Sequence, residues 1–154
     1  MGLFFKKKKK DKEVWNMTEK DLRWNRFLRD ICFRDVETLS EIQKIAVLCF
    51  WYDTEVNSGG HSGYFDCCPD TVPQELISAI LVVGYKAIAD NYQKALSEGE
   101  KDDWVETDTA YYNFSPSLCD CLREFVESNK DIIFHSGPVF IQIPNRVTIR
   151  AAGG

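Results

Sequence analysis

Long apolar runs are missing from this 154-residue chain: no stretch approaches the roughly 20 consecutive apolar residues that a membrane-spanning helix needs. A secretory leader pattern is also missing, because Leu3, Phe4 and Phe5 are too few to form its apolar core. Without an oxidising compartment the six cysteines read as reduced thiols, several of them buried, and the expected location is cytoplasmic. Histidines number only two, His61 and His135. There is no nucleophile elbow, phosphate-cradling glycine loop or His-Glu-x-x-His helix, and no internal repeat.

What the chain does contain argues for a folded core. It is 44% hydrophobic and 13% aromatic, enough apolar surface to offset the entropy of ordering one domain. Its net charge of −5 is unevenly spread. Residues 1–12 set six lysines against Asp11, and residues 132–154 carry Arg146 and Arg150 and no acid, so residues 13–131 hold −12. So acidic a body disfavours nucleic acid as a direct ligand and favours a basic partner. The expected organisation is a basic tail over residues 1–14, a helical domain over 15–131 and a C-terminal extension over 132–154.

Caps and three-and-four spacing predict an all-α fold of about five to six helices in one bundle-like domain. Thr18 and Asp21 open a first helix, with Leu22, Phe27, Leu28 and Ile31 as its apolar side, running to about Phe33. Thr38 and Glu41 form a capping box for a second, whose stretch Ile45–Tyr52 is apolar all round and therefore central; Asn57-Ser58-Gly59-Gly60 ends it. Thr71 caps a third, with Pro73 in its first turn and Val72, Leu76, Ile80 and Val83 on one face. Beyond Gly84 a fourth buries Ile88, Tyr92, Ala95 and Leu96. Residues 97–114 read as an acidic, aromatic loop, after which Ser115-Pro116 opens a fifth helix with Leu118, Leu122, Phe125 and Val126 inside. From Ile132 on, β-branched residues around Pro144-Asn145 suggest a small terminal hairpin.

The most distinctive segment is Glu55-Val56-Asn57-Ser58-Gly59-Gly60-His61-Ser62-Gly63-Tyr64-Phe65. An Asn-x-Gly-Gly turn, then an aromatic or His, then an aromatic pair resembles the signature of a bacterial family of small domains of unknown function whose named member is a DNA-mimic protein. The similarity spans roughly residues 20–130. It departs from the commonest pattern at His61, where Phe is frequent, and at Gly63, where Gln is frequent. The resemblance implies an all-helical, often dimeric domain, whose best-known example presents carboxylates where DNA presents phosphates and so occupies a transcription factor. Glu55, Asn57, Gly59, Gly60, His61, Gly63, Tyr64 and Phe65 then have a structural role.

Two acidic groups are candidates for a partner-binding surface. At about 100° per residue Asp120, Glu124, Glu127 and Asp131 fall opposite the apolar stripe of the fifth helix, roughly 4.5 to 6 Å apart along its axis. That spacing is of the same order as the ~3.4 Å rise between phosphates on one DNA strand. The second group is Glu98, Glu100, Asp102, Asp103, Glu106 and Asp108, opposed in sequence by Lys101 alone. The bland alternative for both is an ordinary solubilising surface.

The leading expectation is therefore a non-catalytic module that binds a basic protein such as a DNA-binding protein, with no cofactor and no metal. Cys119 and Cys121 point about 160° apart on a helix and cannot easily share one ion. Two other classes compete. One is a small thiol- or His-dependent enzyme centred on His61 with Cys67 or Cys68. The other is a membrane-surface adaptor using Lys6, Lys7, Lys8, Lys9 and Lys10; a myristoylation motif fails there, since Lys6 stands where Ser or Thr is wanted.

Overall fold

In the computed structural model residues 16–135 are described, and they form seven α-helices and two 3₁₀ turns with no strand among the described residues. In chain order these are α1 (Glu19–Asp30), a 3₁₀ turn (Val36–Thr38), α2 (Glu41–Cys67), α3 (Pro73–Val83), α4 (Lys86–Glu98), a second 3₁₀ turn (Gly99–Asp102), α5 (Val105–Tyr112), α6 (Leu118–Ser128) and α7 (Lys130–Ile133). The basic tail and the expected hairpin around Pro144-Asn145 lie outside the described residues. No helix among the described residues is long and apolar enough to cross a membrane.

The helices α1, α2, α3, α4 and α6 lie close to where the sequence places them, but only α1 has the cap expected for it. Thr18 and Asp21 do cap α1: the Asp21 N–H donates to Thr18 Oγ1 at 3.1 Å and the Thr18 N–H to Asp21 Oδ2 at 3.0 Å. The box of α2 is Ser40 with Gln43, not Thr38 with Glu41. Residues Val36–Thr38 are used in the 3₁₀ turn, where the Thr38 hydroxyl donates to Asp35 O at 2.7 Å, and the long helix starts beyond it. Thr71 does not cap α3, which starts at Pro73 after Val72 with no side-chain cap. Ser117, capped against Asp120, opens α6; Ser115-Pro116 is a cis peptide just before it.

Two expectations fail for a clearer reason. Residues 97–114 are helical over most of their length because short polar groups replace the missing amphipathic pattern. Asp102 Oδ2 accepts from the Glu106 N–H at 2.9 Å, Trp104 O accepts from the Asp108 N–H at 2.8 Å, and Thr107 and Tyr111 are buried. Ile132 and Ile133, expected to begin the extension, belong to α7; Ile133 is fully buried and its carbonyl accepts from Gln43 Nε2 at 2.7 Å.

The core forms around α2, which packs against α3, α5, α6 and α7. Ala46, Cys49, Tyr52 and Val56 project from it into a cluster with Leu76 and Ile80 of α3, Ile88 and Tyr92 of α4, and Leu118, Leu122 and Val126 of α6. Phe27 anchors α1 to the same core, and burying such a side chain is worth roughly 1.5–3 kcal/mol. Leu22, Phe33 and Leu96, which the spacing assigns to helices or interiors, are exposed.

Candidate protein-binding surface

The segment 55–65 does not end α2; it bends it. Helical geometry breaks only at Gly59 (φ −137°, ψ 15°) and Gly60 (φ 69°, ψ −175°), then resumes to Cys67. The break is held by Asp108 of α5, one of whose oxygens, Oδ1, takes two bonds: from the His61 backbone N–H at 2.9 Å and from His61 Nδ1 at 2.6 Å. A carboxylate can only accept, so Nδ1 carries the proton and Nε2 accepts from the Tyr52 hydroxyl at 2.7 Å. Around this knot Tyr64, Tyr92 and Tyr111 meet Tyr52 edge to face at centroid distances of 5.0 to 5.4 Å. The Tyr111 hydroxyl donates to Asp53 Oδ1 at 2.5 Å, and Asn57 Nδ2 to Asp53 O at 2.8 Å. Glu55 lies beside Cys67, and a Cβ at Gly63 would meet nothing nearer than Glu55 O at 4.0 Å.

His61 is fully buried, and burial lowers its pKa below the ordinary value against the opposing pull of Asp108. The unfolded chain therefore takes up a proton at this residue before the folded chain does. Stability from this group is complete above about pH 6.5 and declines as pH falls toward the lowered value, by at most about 1.4 kcal/mol per pH unit. Asp53, whose carboxyl is raised by burial, acts in the opposite sense in the more acidic carboxylate range. Thermal midpoints at about pH 7.5 and about pH 5.5 check this, and a midpoint that is flat or rises on acidification contradicts it.

Of the acids expected on the surface, several are occupied. α1 lies along α6 and covers part of the row on it: Lys20 pairs with Glu124, and Arg23 forks onto Glu127 at 2.8 and 2.5 Å. The Arg23 hydrogen bond holds the Glu127 carboxyl below its usual range. Arg123 turns away from Glu127 to Asp21 at 2.7 Å and stacks over Trp24. Asp120 is engaged in the cap of α6, and Asp131 lies beyond the end of α6, on α7, exposed and without an ion pair among the described residues. The unpaired row expected from helix geometry is thus not what α6 presents, because α1 supplies cations that spacing within α6 cannot reveal.

The second group is divided too. Asp108 faces inward on His61, and Glu106 pairs with Lys94 of α4 at 2.5 Å, so Lys101 is not the only opposing cation. Asp102 accepts from the Glu106 backbone, while Glu98, Glu100 and Asp103 are exposed and have no ion pair among the described residues.

Glu98 and Glu100 line a groove of about 430 Å³ between the last turns of α2 and the 98–104 segment. Phe65, Leu96 and Trp104 supply its apolar wall, and Asp66 of α2 lines the groove as well. Trp104 is fixed: its Nε1–H donates to Ala95 O at 3.0 Å, and its ring lies so close on Gly99 that a Cβ there would overlap it. Nothing in the sequence singled out Trp104, or Asp66 as its neighbour. The two sides of the groove are some thirty residues apart, and only folding brings them together.

Cysteine chemistry gains no support at His61. Cys67 is raised by its hydrogen bond with Glu55, Cys68 by burial, and the His61 nitrogens are committed to Asp108 and Tyr52. Neither thiol has the depressed pKa of an activated nucleophile. Cys119 and Cys121 are likewise raised by burial.

The sequence pattern of the family described as DMP19-like protein matches residues 37–133, well over half the chain. The chain belongs to that family. The matched span takes in the kink, the His61–Asp108 knot and the whole groove, whereas α1, with the cations that cover α6, precedes it. No match is found among curated proteins or among solved structures.

Proposed function

We propose that this protein is a non-catalytic module of the DNA-mimic type, which holds a basic, DNA-binding protein through an acidic surface. The observation that carries this reading is that the exposed carboxylates Glu98 and Glu100, without ion pairs among the described residues, line one groove together with Asp66. Like charges held this close repel, so a rigid scaffold that keeps them together favours a cationic partner. The row Asp120, Glu124, Glu127 and Asp131 contributes less, since two of its members are neutralised by α1. Membership of the DMP19-like family supports the same direction.

The test is a pull-down with the full chain at low salt. The expected capture is a protein that binds duplex DNA by itself and releases that DNA when this chain is added. The complex should be lost at about 0.5 M salt, where screening acts within a few ångströms. Capture that persists at high salt, or of proteins with no DNA affinity, contradicts the reading.

A further inference from the structure

We propose that the groove between α2 and the 98–104 segment is a receptor for an arginine side chain displayed by the basic partner. The inference rests on the acidic-surface reading but assigns the contact to one place and one chemistry. The apolar wall is preformed. Phe65 and Trp104 stand with ring centroids 5.9 Å apart and planes tilted by 48°, and Trp104 is held by its bond to Ala95 O and its seat on Gly99. A wall that need not reorganise costs little entropy on binding. The volume of about 430 Å³ lies within the range of about 300–1,000 Å³ typical of small-ligand sites.

Charge selects the occupant. Three exposed carboxylates from different parts of the fold border the aromatic wall: Asp66 on α2, Glu98 at the end of α4 and Glu100 on the 3₁₀ turn. Among the described residues Lys101 is the one cation that lines the groove, so its rim keeps a negative excess. An anionic ligand is repelled, and a neutral apolar one would strip water from the carboxylates without compensation. A cation compensates both surfaces. Among side chains the guanidinium fits best: it is planar, stacks on an indole face, offers a fork of donors to carboxylates and is less strongly hydrated than an ammonium. Lysine, a compact and strongly hydrated charge, can use the rim but gains less from the wall.

Fluorescence anisotropy with the full chain and a labelled peptide of alternating glycine and arginine tests this at low salt, against the same peptide with lysine. The arginine peptide is expected to bind several-fold more tightly, in line with a stacking gain of about 0.5–1 kcal/mol. The double variant Glu98→Gln/Glu100→Gln should weaken it by about tenfold or more. The control pair Glu37→Gln/Asp70→Asn, exposed acids outside the groove with the same change in charge, should alter it by less than about twofold. Equal losses in the two pairs would overturn the groove while leaving the acidic-surface reading intact. Equal affinity for the two peptides would overturn the assignment to arginine, and no binding of either would overturn both readings.

Discussion

Replacing Gly60 by alanine is expected to destabilise the domain by about 3 kcal/mol and to lower its thermal midpoint by roughly 10 °C. Gly60 has φ 69° and ψ −175°, a region that side chains with a Cβ avoid. A Cβ there would also collide with Asp108 Oδ2, on the carboxylate that holds the bend. Relief by moving Asp108 would break its bonds to His61, so the two penalties cannot both be escaped. The neighbouring glycines give the contrast. Gly59 has φ −137° and open space within 4 Å of where a Cβ would stand, and Gly63 has only Glu55 O at 4.0 Å. Alanine at either should stay within about 1 kcal/mol of the native chain, and at Gly63, inside regular helix, it should stabilise slightly. Urea unfolding of the three variants decides; a Gly60→Ala midpoint as high as that of Gly59→Ala would show that the bend is not required.

Asp108→Ala is expected to cost a similar amount, about 3 kcal/mol, even though this aspartate belongs by sequence to a run of surface acids. Its Oδ1 satisfies both the backbone N–H and the Nδ1–H of a histidine that is fully buried. Removing it leaves two buried donors without an acceptor, and hydrogen bonds to a charged partner are worth about 1.5–3 kcal/mol. Glu98→Gln and Glu100→Gln, exposed and without ion pairs among the described residues, should change stability by no more than about 0.5 kcal/mol. If Asp108→Ala unfolds in urea at the same concentration as those two, the His61–Asp108 contact does not anchor α5 to α2. The comparison also separates the positions within the 98–108 run: Asp108 holds the bend of α2, and Glu98 and Glu100 line the groove.

Fold class was legible in the residues because helix formation is largely local. The Thr18–Asp21 box, the Pro73 start and the apolar stripe of Leu118, Leu122 and Val126 all involve groups a turn or two apart, and α1, α3 and α6 sit close to where those signals place them. The central position of Ile45–Tyr52 followed from an absence of polar groups on any side. Misplacements arose where one local signal competed with another. Thr38 and Glu41 satisfy the capping pattern, yet the 3₁₀ turn takes up Thr38 and the helix begins after Ser40.

Charge is where the sequence stops being informative. It determined that the body of the protein is acidic and which carboxylates could share a helix face, because those follow from composition and from about 3.6 residues per turn. It could not determine which of them remain unpaired. Arg23 reaches Glu127 across 104 residues, and Asp108 reaches His61 across 47. Such pairings depend on how helices pack rather than on spacing along one of them. Tertiary structure alone decided that Glu124 and Glu127 of α6 are neutralised by α1, that Asp108 turns inward, and that Asp66, Glu98 and Glu100 meet around Trp104. Coulombic and hydrogen-bond partners act through a few ångströms of space, and distance along the chain says little about that.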